Sequence, residues 1–233
     1  MKLDIPFDPI KRAAEIESMV MRDNRRLYYR FRSSRYYGGV VTADTIGCNI
    51  LCAYCWNYRR NENPTQGEFY SPAEVIWKLK TTAGSTGIRH FRVSGAEPIL
   101  GEGSVMHLAE VLRAFPGSFI VETNGIMLGY NPDFLRPLLP HRPYIRLTVK
   151  GDSPERFQDI TGAEGEALQY QIYAVREVRR RGGVYHVAAM AGAVDSYTLG
   201  SLFPEEEIEW EEFQDFGNAA RNLIRRAVAL DRR

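Results

Sequence analysis

From Gly39 onward the chain repeats one pattern, a short apolar run followed by a loop and an amphipathic stretch of helical period. That alternation constrains the fold more than any other feature. A strand followed by a helix and another strand folds most readily as a parallel βαβ unit, because parallel neighbours are reached only by a crossover that lays a helix on the sheet. Strands are predicted at Gly39–Asp44, Ile88–Ser94, Ser118–Glu122, Tyr144–Val149, Val184–Met190 and Ile208–Phe213. Between them, Ser71-Pro72-Ala73-Glu74 is a capping box with proline at the first helical position, opening a helix through Lys80. Further helices are predicted at Ser104–Ala114, Asn131–Leu139, a turn from Asp152, Glu166–Arg181 before Gly182-Gly183, and Asn218–Leu230. A closed eightfold barrel takes about 250 residues. These strands fill the chain, so an open, partial (β/α)6 barrel is expected, α/β in class, with helices outside a parallel sheet. Such sheets bind ligands at the carboxyl ends of their strands.

The formal charge of +1 excludes a globally basic nucleic-acid binder. No apolar run approaches the roughly 20 residues that span a bilayer, and the acids of the N-terminal stretch do not suit a signal peptide. A cytoplasmic, non-membrane protein is the expectation. Residues 1–36 read as a charged helical extension and residues 37–233 as the core domain. In the extension, Asp8–Arg25 has apolar positions on one helical face. Arg22, Arg25, Arg26, Arg30, Arg32 and Arg35 interleave there with Tyr28, Tyr29, Phe31, Tyr36 and Tyr37. Two readings stand: a surface for an anionic or RNA partner, or a solvated helix whose aromatics pack on the fold. The acidic stretch Glu205–Glu212 is expected to face elsewhere.

The chain has three cysteines, Cys48, Cys52 and Cys55, on the loop after the first predicted strand. An odd number packed into eight residues is no disulfide framework and points to a metal site in a reducing compartment. Thiolates at C-x3-C-x2-C converge if the loop wraps one object, and a cubane [4Fe–4S] cluster has the right size. Structural zinc would need a fourth ligand, and His90, His107, His141 and His186 are all distant in sequence.

This loop, with the aromatic Tyr54 before its last cysteine, resembles the signature of radical S-adenosylmethionine (SAM) enzymes. The resemblance implies that Cys48, Cys52 and Cys55 bind three irons while SAM chelates the fourth. One electron, supplied by an external donor of flavodoxin or ferredoxin type, then cleaves SAM to a 5′-deoxyadenosyl radical that abstracts hydrogen from substrate. An oxidoreductase or lyase-type reaction follows.

The strand ends carry further likenesses. Gly95-Ala96-Glu97-Pro98 resembles the family's Gly-Gly-Glu-Pro motif, which meets the SAM amino group; Gly95 permits close approach, and carbonyls plus Glu97 could accept from an ammonium. Glu122-Thr123-Asn124-Gly125 looks like the Asp/Glu-Thr-Asn-Gly segment of the activase-like branch, whose acid lies near SAM. Thr148-Val149-Lys150 is similar to a strand end whose lysine reaches the SAM carboxylate. On the fifth strand His186 and Met190 share a face that either packs in the core or lines a substrate chamber.

Within the family, no cysteines remain for an auxiliary cluster or a methyl-carrying thiol. The resemblance narrows to small single-cluster enzymes: activases of glycyl-radical enzymes, or small-molecule isomerases and ring-contracting synthases of the 7-carboxy-7-deazaguanine type. Cys55-Trp56-Asn57 is also similar to wyosine-type tRNA base synthases, which keeps an RNA-modifying reading open. A noncatalytic iron–sulfur or zinc protein is the remaining alternative.

Overall fold

The computed structural model of the protein describes residues 4–216 and 219–230. Helix α1 (Pro9–Val20) starts at Asp8, whose carboxylate accepts from the Ile10 and Lys11 amides. It is followed by β1 (Met21–Arg22) and β2 (Arg25–Ser34), then β3 (Val40–Thr45), α2 (Tyr58–Glu62), β4 (Glu68–Tyr70) and α3 (Pro72–Thr86). Next come β5 (Phe91–Ser94), α4 (Glu102–Leu112), β6 (Phe119–Thr123), α5 (Ile126–Tyr130) and β7 (Tyr144–Val149). The chain finishes with α6 (Pro154–Thr161), α7 (Leu168–Arg180), β8 (Val184–Met190), α8 (Ser196–Leu202), β9 (Ile208–Glu211) and α9 (Ala219–Arg225).

Strands β3, β5, β6, β7, β8 and β9 lie side by side in chain order, every neighbouring pair parallel. This is the expected open (β/α)6 sheet. Strands β1, β2 and β4 extend it antiparallel beyond β3. No helix among the described residues is long and apolar enough to cross a membrane.

Register assigns the two faces, since alternate residues point to opposite sides. Val41, Val93, Val121, Ile145, Leu147, Val187 and Ala189 are buried on the face packed by helices. The concave face carries Thr42, Asp44, Arg92, Glu122, Arg146, His186, Glu209 and Glu211, set opposite one another by the strand pairing. A sheet with one apolar and one charged face holds its core outside the barrel and leaves the inside polar.

Three sequence expectations change here. The helix through Arg25 ends at Val20, and Arg25–Ser34 is a strand of the same sheet rather than part of a helical extension. The aromatics of this run suit a half-buried strand. The helix predicted at Asn131–Leu139 is instead α5, beginning at Ile126, followed by short 3-10 turns at Pro132–Leu135 and Leu139–His141. Pro132, Pro137 and Pro140 lack the amide donors an α-helix there would need. Of the last helix, the predicted start at Asn218 lies outside the described residues.

Candidate active site

The loop from Ile46 to Asn57 leaves the carboxyl end of β3 and carries all three thiols. It is strapped along the end of α6: the Leu51 amide donates to Thr161 O at 2.9 Å and the Ala53 amide to Ile160 O at 2.8 Å. From the other side Arg12 of α1 donates to Cys48 O at 3.2 Å and to Asn61 O at 2.9 Å. Arg226, following α9, reaches Leu51 O at 2.5 Å together with the carbonyls of Asp159 and Ile160.

Burial pushes the Cys48 thiol up to about 12, reinforced by Glu97 and Cys52. The same cause, burial, pushes Cys52 and Cys55 up to about 11, with Lys150 opposing both. The thiols therefore lie in one another's field. The Asn124 amide points at Cys48 Sγ from 3.9 Å and the Asn61 amide at Cys55 Sγ from 3.8 Å.

Gly95 follows β5 at φ 89°, and a Cβ there would lie 2.9 Å from Thr45 O. Glycine is thus required for β5 to pass close to β3. Its carbonyl accepts from Asn57 at 2.7 Å and Asn61 at 3.4 Å, which pins the cysteine loop and α2 to the sheet. The half-buried Ala96 follows; its carbonyl accepts nothing among the described residues.

Glu97 is placed differently from the expectation that it meets an ammonium. Its carboxylate accepts from Thr123 Oγ1 at 2.7 Å, the Asn124 amide at 2.8 Å and the Ile99 amide at 3.1 Å. It is a buried clasp between the ends of β5 and β6. Burial raises its pKa to about 7, against those donors and Arg26.

Glu122 is likewise engaged. It accepts from Arg92 at 3.0 Å and from the Tyr37 hydroxyl at 2.6 Å on the concave face. Burial pushes it up, but Arg92, Tyr37 and Ser94 together hold it below the ordinary carboxylate range. Asn124 donates to Asn49 Oδ1 at 2.8 Å, and buried Gln171 of α7 joins Asn124 O to Thr148 O across the ends of β6 and β7. Lys150 follows β7, with Nζ 5.6 Å from the centre of the buried Tyr54 ring and no ion pair among the described residues.

The structure thus brings Cys48, Cys52, Cys55, Tyr54, Asn124 and Lys150 together at the carboxyl ends of the strands, while Glu97, Thr123 and Thr148 brace them from below. Sequence reasoning missed Asn49, Asn57, Asn61, Gln171, Arg12 and Arg226. The only signal for the asparagines was their density around the cysteines, three within thirteen residues.

Of the N-terminal arginines, Arg25, Arg26, Arg30 and Arg32 are engaged within the fold, while Arg22 and Arg35 are exposed with no ion pair among the described residues. Arg26 is buried and donates to Ile46 O and Glu97 O. Arg30 and Arg32 pair with the buried Asp44 at 2.8 and 2.7 Å, and Arg25 with Glu74 at 2.8 Å. The acidic stretch divides: Glu205 and Glu206 meet Arg179, while Glu209 and Glu211 turn inward to Arg146. His186 contacts Glu209 on this inner face.

The fit of a cofactor follows from the donors. Among the described residues no group of three His, Cys, Asp or Glu side chains is set to hold a metal ion. Asn49 Nδ2, Tyr54 OH and Asn61 Oδ1 are buried around the loop without partners. A metal centre held by these cysteines would take them as thiolates. Three cysteines on one loop at the strand ends are the ligand chemistry of an iron–sulfur cluster.

Comparison with known proteins agrees. The family model described as the radical SAM superfamily matches residues 43–214. A GTP 3′,8-cyclase of Clostridium perfringens strain SM101 is 32% identical over 120 residues, 50% of this chain and 36% of that protein. The GTP 3′,8-cyclase of Moorella thermoacetica is 37% identical over 90 residues, 37% of this chain and 27% of that protein. The chain spans less than half the length of the curated relatives it matches. Among solved structures, native anSMEcpe with bound AdoMet superposes with a TM-score of 0.51 at 14% identity, covering 72% of this chain and 50% of that one. By the family model, and with a site to match, the chain belongs to the radical SAM superfamily, whose enzymes use a [4Fe–4S] cluster and S-adenosylmethionine.

Proposed function

We propose that this protein reductively cleaves SAM and abstracts hydrogen from a small polar substrate held on the concave face of the sheet. The carrying observation is the placing of three thiols, Cys52 buried and Cys48 and Cys55 partly so, beside a lysine that has no ion pair among the described residues, at the carboxyl ends of parallel strands. Cys48, Cys52 and Cys55 would each hold one iron. When bound, the cluster and SAM supply a hydrogen-abstracting radical. The chain's residues bind and orient. Lys150 would pair with the SAM carboxylate, and the Ala96 carbonyl would accept from its amino group. Asn124 and Asn61 would aim N–H groups at the ligand sulfurs, and the apolar packing around the loop excludes water.

The substrate side supports a small molecule over a glycine-bearing protein. The concave face is internally charge-balanced, with Arg92 on Glu122 and Arg146 on Glu209 and Glu211. Every arginine there already has an acid, so a substrate of high negative charge finds no cation set aside for it. A neutral or zwitterionic molecule with several hydrogen-bonding groups fits. The likeness to GTP 3′,8-cyclases favours small-molecule radical chemistry, while the charge-balanced face argues against a polyanion such as a nucleoside triphosphate as this chain's substrate.

The test is anaerobic reconstitution. About four irons and four sulfides per chain are expected from this ligand class, with 5′-deoxyadenosine released slowly on reduction with SAM. Replacing any one of Cys48, Cys52 or Cys55 by alanine should abolish both. Stoichiometric zinc uptake without iron would overturn the reading.

A further inference from the structure

Ion pairing on the concave face balances in number but not in place. At the β2–β3 side Arg30 and Arg32 share Asp44, and in the middle Arg92 meets Glu122. Toward β9 the ratio inverts, and Arg146 alone faces both Glu209 and Glu211. Glu209 takes the guanidinium in a fork, 2.8 Å from Nη2 and 3.3 Å from Nε. Glu211 has one contact there, Oε1 on Nη1 at 2.8 Å, and its Oε2 has no partner among the described residues. His186 brings no compensating charge at neutral pH, because burial holds its imidazole below the usual range. One carboxylate is therefore in surplus, on a side chain 33% exposed.

Register sets this acid beside the cofactor site. Glu211 is the strand partner of Met190, and Val149, just before Lys150, is the partner of Ala189. Lys150, Met190 and Glu211 thus make the last row of the concave face, on three successive strands. Neighbouring strands lie about 4.8 Å apart, which puts Glu211 on the order of 10 Å from Lys150 along the sheet. The row before it is Thr148, Ala188 and Glu209, with small residues on β7 and β8. A second, independent feature points to a ligand at this place. Tyr54 is only 8% exposed, yet its hydroxyl has no partner among the described residues, and it lies in the field of Glu211. Buried hydroxyls are normally paired. An unpaired hydroxyl and a surplus carboxylate are here close neighbours.

We propose that Glu211 anchors a cationic nitrogen of the substrate, an ammonium or a guanidinium group. The inference rests on the SAM reading above and narrows its substrate from polar to amine-bearing. A carboxylate with one oxygen unpaired gains a charge-assisted hydrogen bond from such a group. Arg146 fixes the carboxylate through its other oxygen, so little order is lost on binding. The Tyr54 hydroxyl is left to pair with a further polar group of the same molecule. Glu211 binds and orients, and no bond is made or broken at it.

Holoprotein carrying cluster and SAM is titrated by calorimetry with n-butylammonium and n-butylguanidinium. The neutral isostere n-butylurea and the anion butyrate are the comparisons. The cations should bind about tenfold or more tightly than n-butylurea, the order expected of a hydrogen bond to a charged group. In Glu211→Gln that preference should fall to near parity, with iron content and SAM affinity those of the parent. Glu205→Gln, which removes an acid paired with Arg179, should keep the full preference. Parity between the cations and n-butylurea in the parent would overturn the proposal. So would a preference that survives Glu211→Gln, or one lost equally in Glu205→Gln. Tightest binding of butyrate would overturn it in favour of an anion site. Iron and SAM uptake by the parent are measured first: their failure would sink the underlying function, whereas parity with both intact sinks this inference alone.

Discussion

Lys150 and Glu97 show how differently two charged residues at neighbouring strand ends are used. Lys150 has the Tyr54 ring beside it, lies in the field of Cys52 and Cys55, and makes no ion pair among the described residues. Lys150→Ala should weaken SAM binding about tenfold or more, the worth of one charge-assisted hydrogen bond, with cluster iron unchanged by chemical assay. Glu97 is enclosed, and its effect is on the fold. Its pKa stands at about 7 in the native state against 4.5 ordinarily, because burial outweighs its donors. Between those values the native protein holds a proton that the unfolded chain has released, so this group lowers stability as pH rises through the window. Glu97→Gln should therefore gain stability relative to the parent as pH rises from about 4.5 to about 7, whatever its offset, as read from urea midpoints. A relative loss over that range would show the carboxylate to be ionised throughout.

At the level of elements, the cysteine loop is held less by its own sequence than by what crosses it. Arg226 joins it to the end of α6 through four carbonyls, those of Leu51, Gln158, Asp159 and Ile160. A planar, forked guanidinium can do this and an ammonium cannot. Arg226→Ala should leave cluster assembly possible but speed iron loss to a chelator several-fold, with faster hydrogen exchange at Leu51 and Ala53; Arg226→Lys should not rescue it. Helices α5 and α7 pack so closely that a Cβ at Gly129 would sit 1.9 Å from Tyr170 O. Gly129→Ala should cost roughly 2 kcal/mol or more, since one helix must move off the other, measurable by urea unfolding. The strand β2 shows where local reading fails. Six arginines in fourteen residues suggested a solvated helix face, yet Leu27 to Phe31 is rich in strand formers, and Arg26, Arg30 and Arg32 find their carbonyls and acid only after β2 pairs with β3.

For the whole molecule, the N-terminal elements are built into the site. Arg12 reaches Cys48 O, Glu17 accepts from the Ser104 amide at the start of α4, and Arg26 holds Ile46 O and Glu97 O. A chain beginning at Gly39 should lose cooperative unfolding and iron uptake together; retention of both would show that β3 needs no covered edge. The sequence by itself determined the βαβ order, the six parallel strands and the cysteine loop after the first of them, because periodicity, caps and cysteine spacing are local properties. It also located the strand ends that surround the site. Tertiary structure alone decided which charges remained available. Glu97 and Glu122 look like ligands in one dimension, but their carboxylates are satisfied by residues 26 and 30 positions away in the chain. Partners that distant meet only when the sheet closes register, and a buried charge takes whichever partner the register brings. Among the described residues the same closure left Lys150 without an ion pair and Arg59 without a partner, the one beside the thiols and the other exposed to solvent.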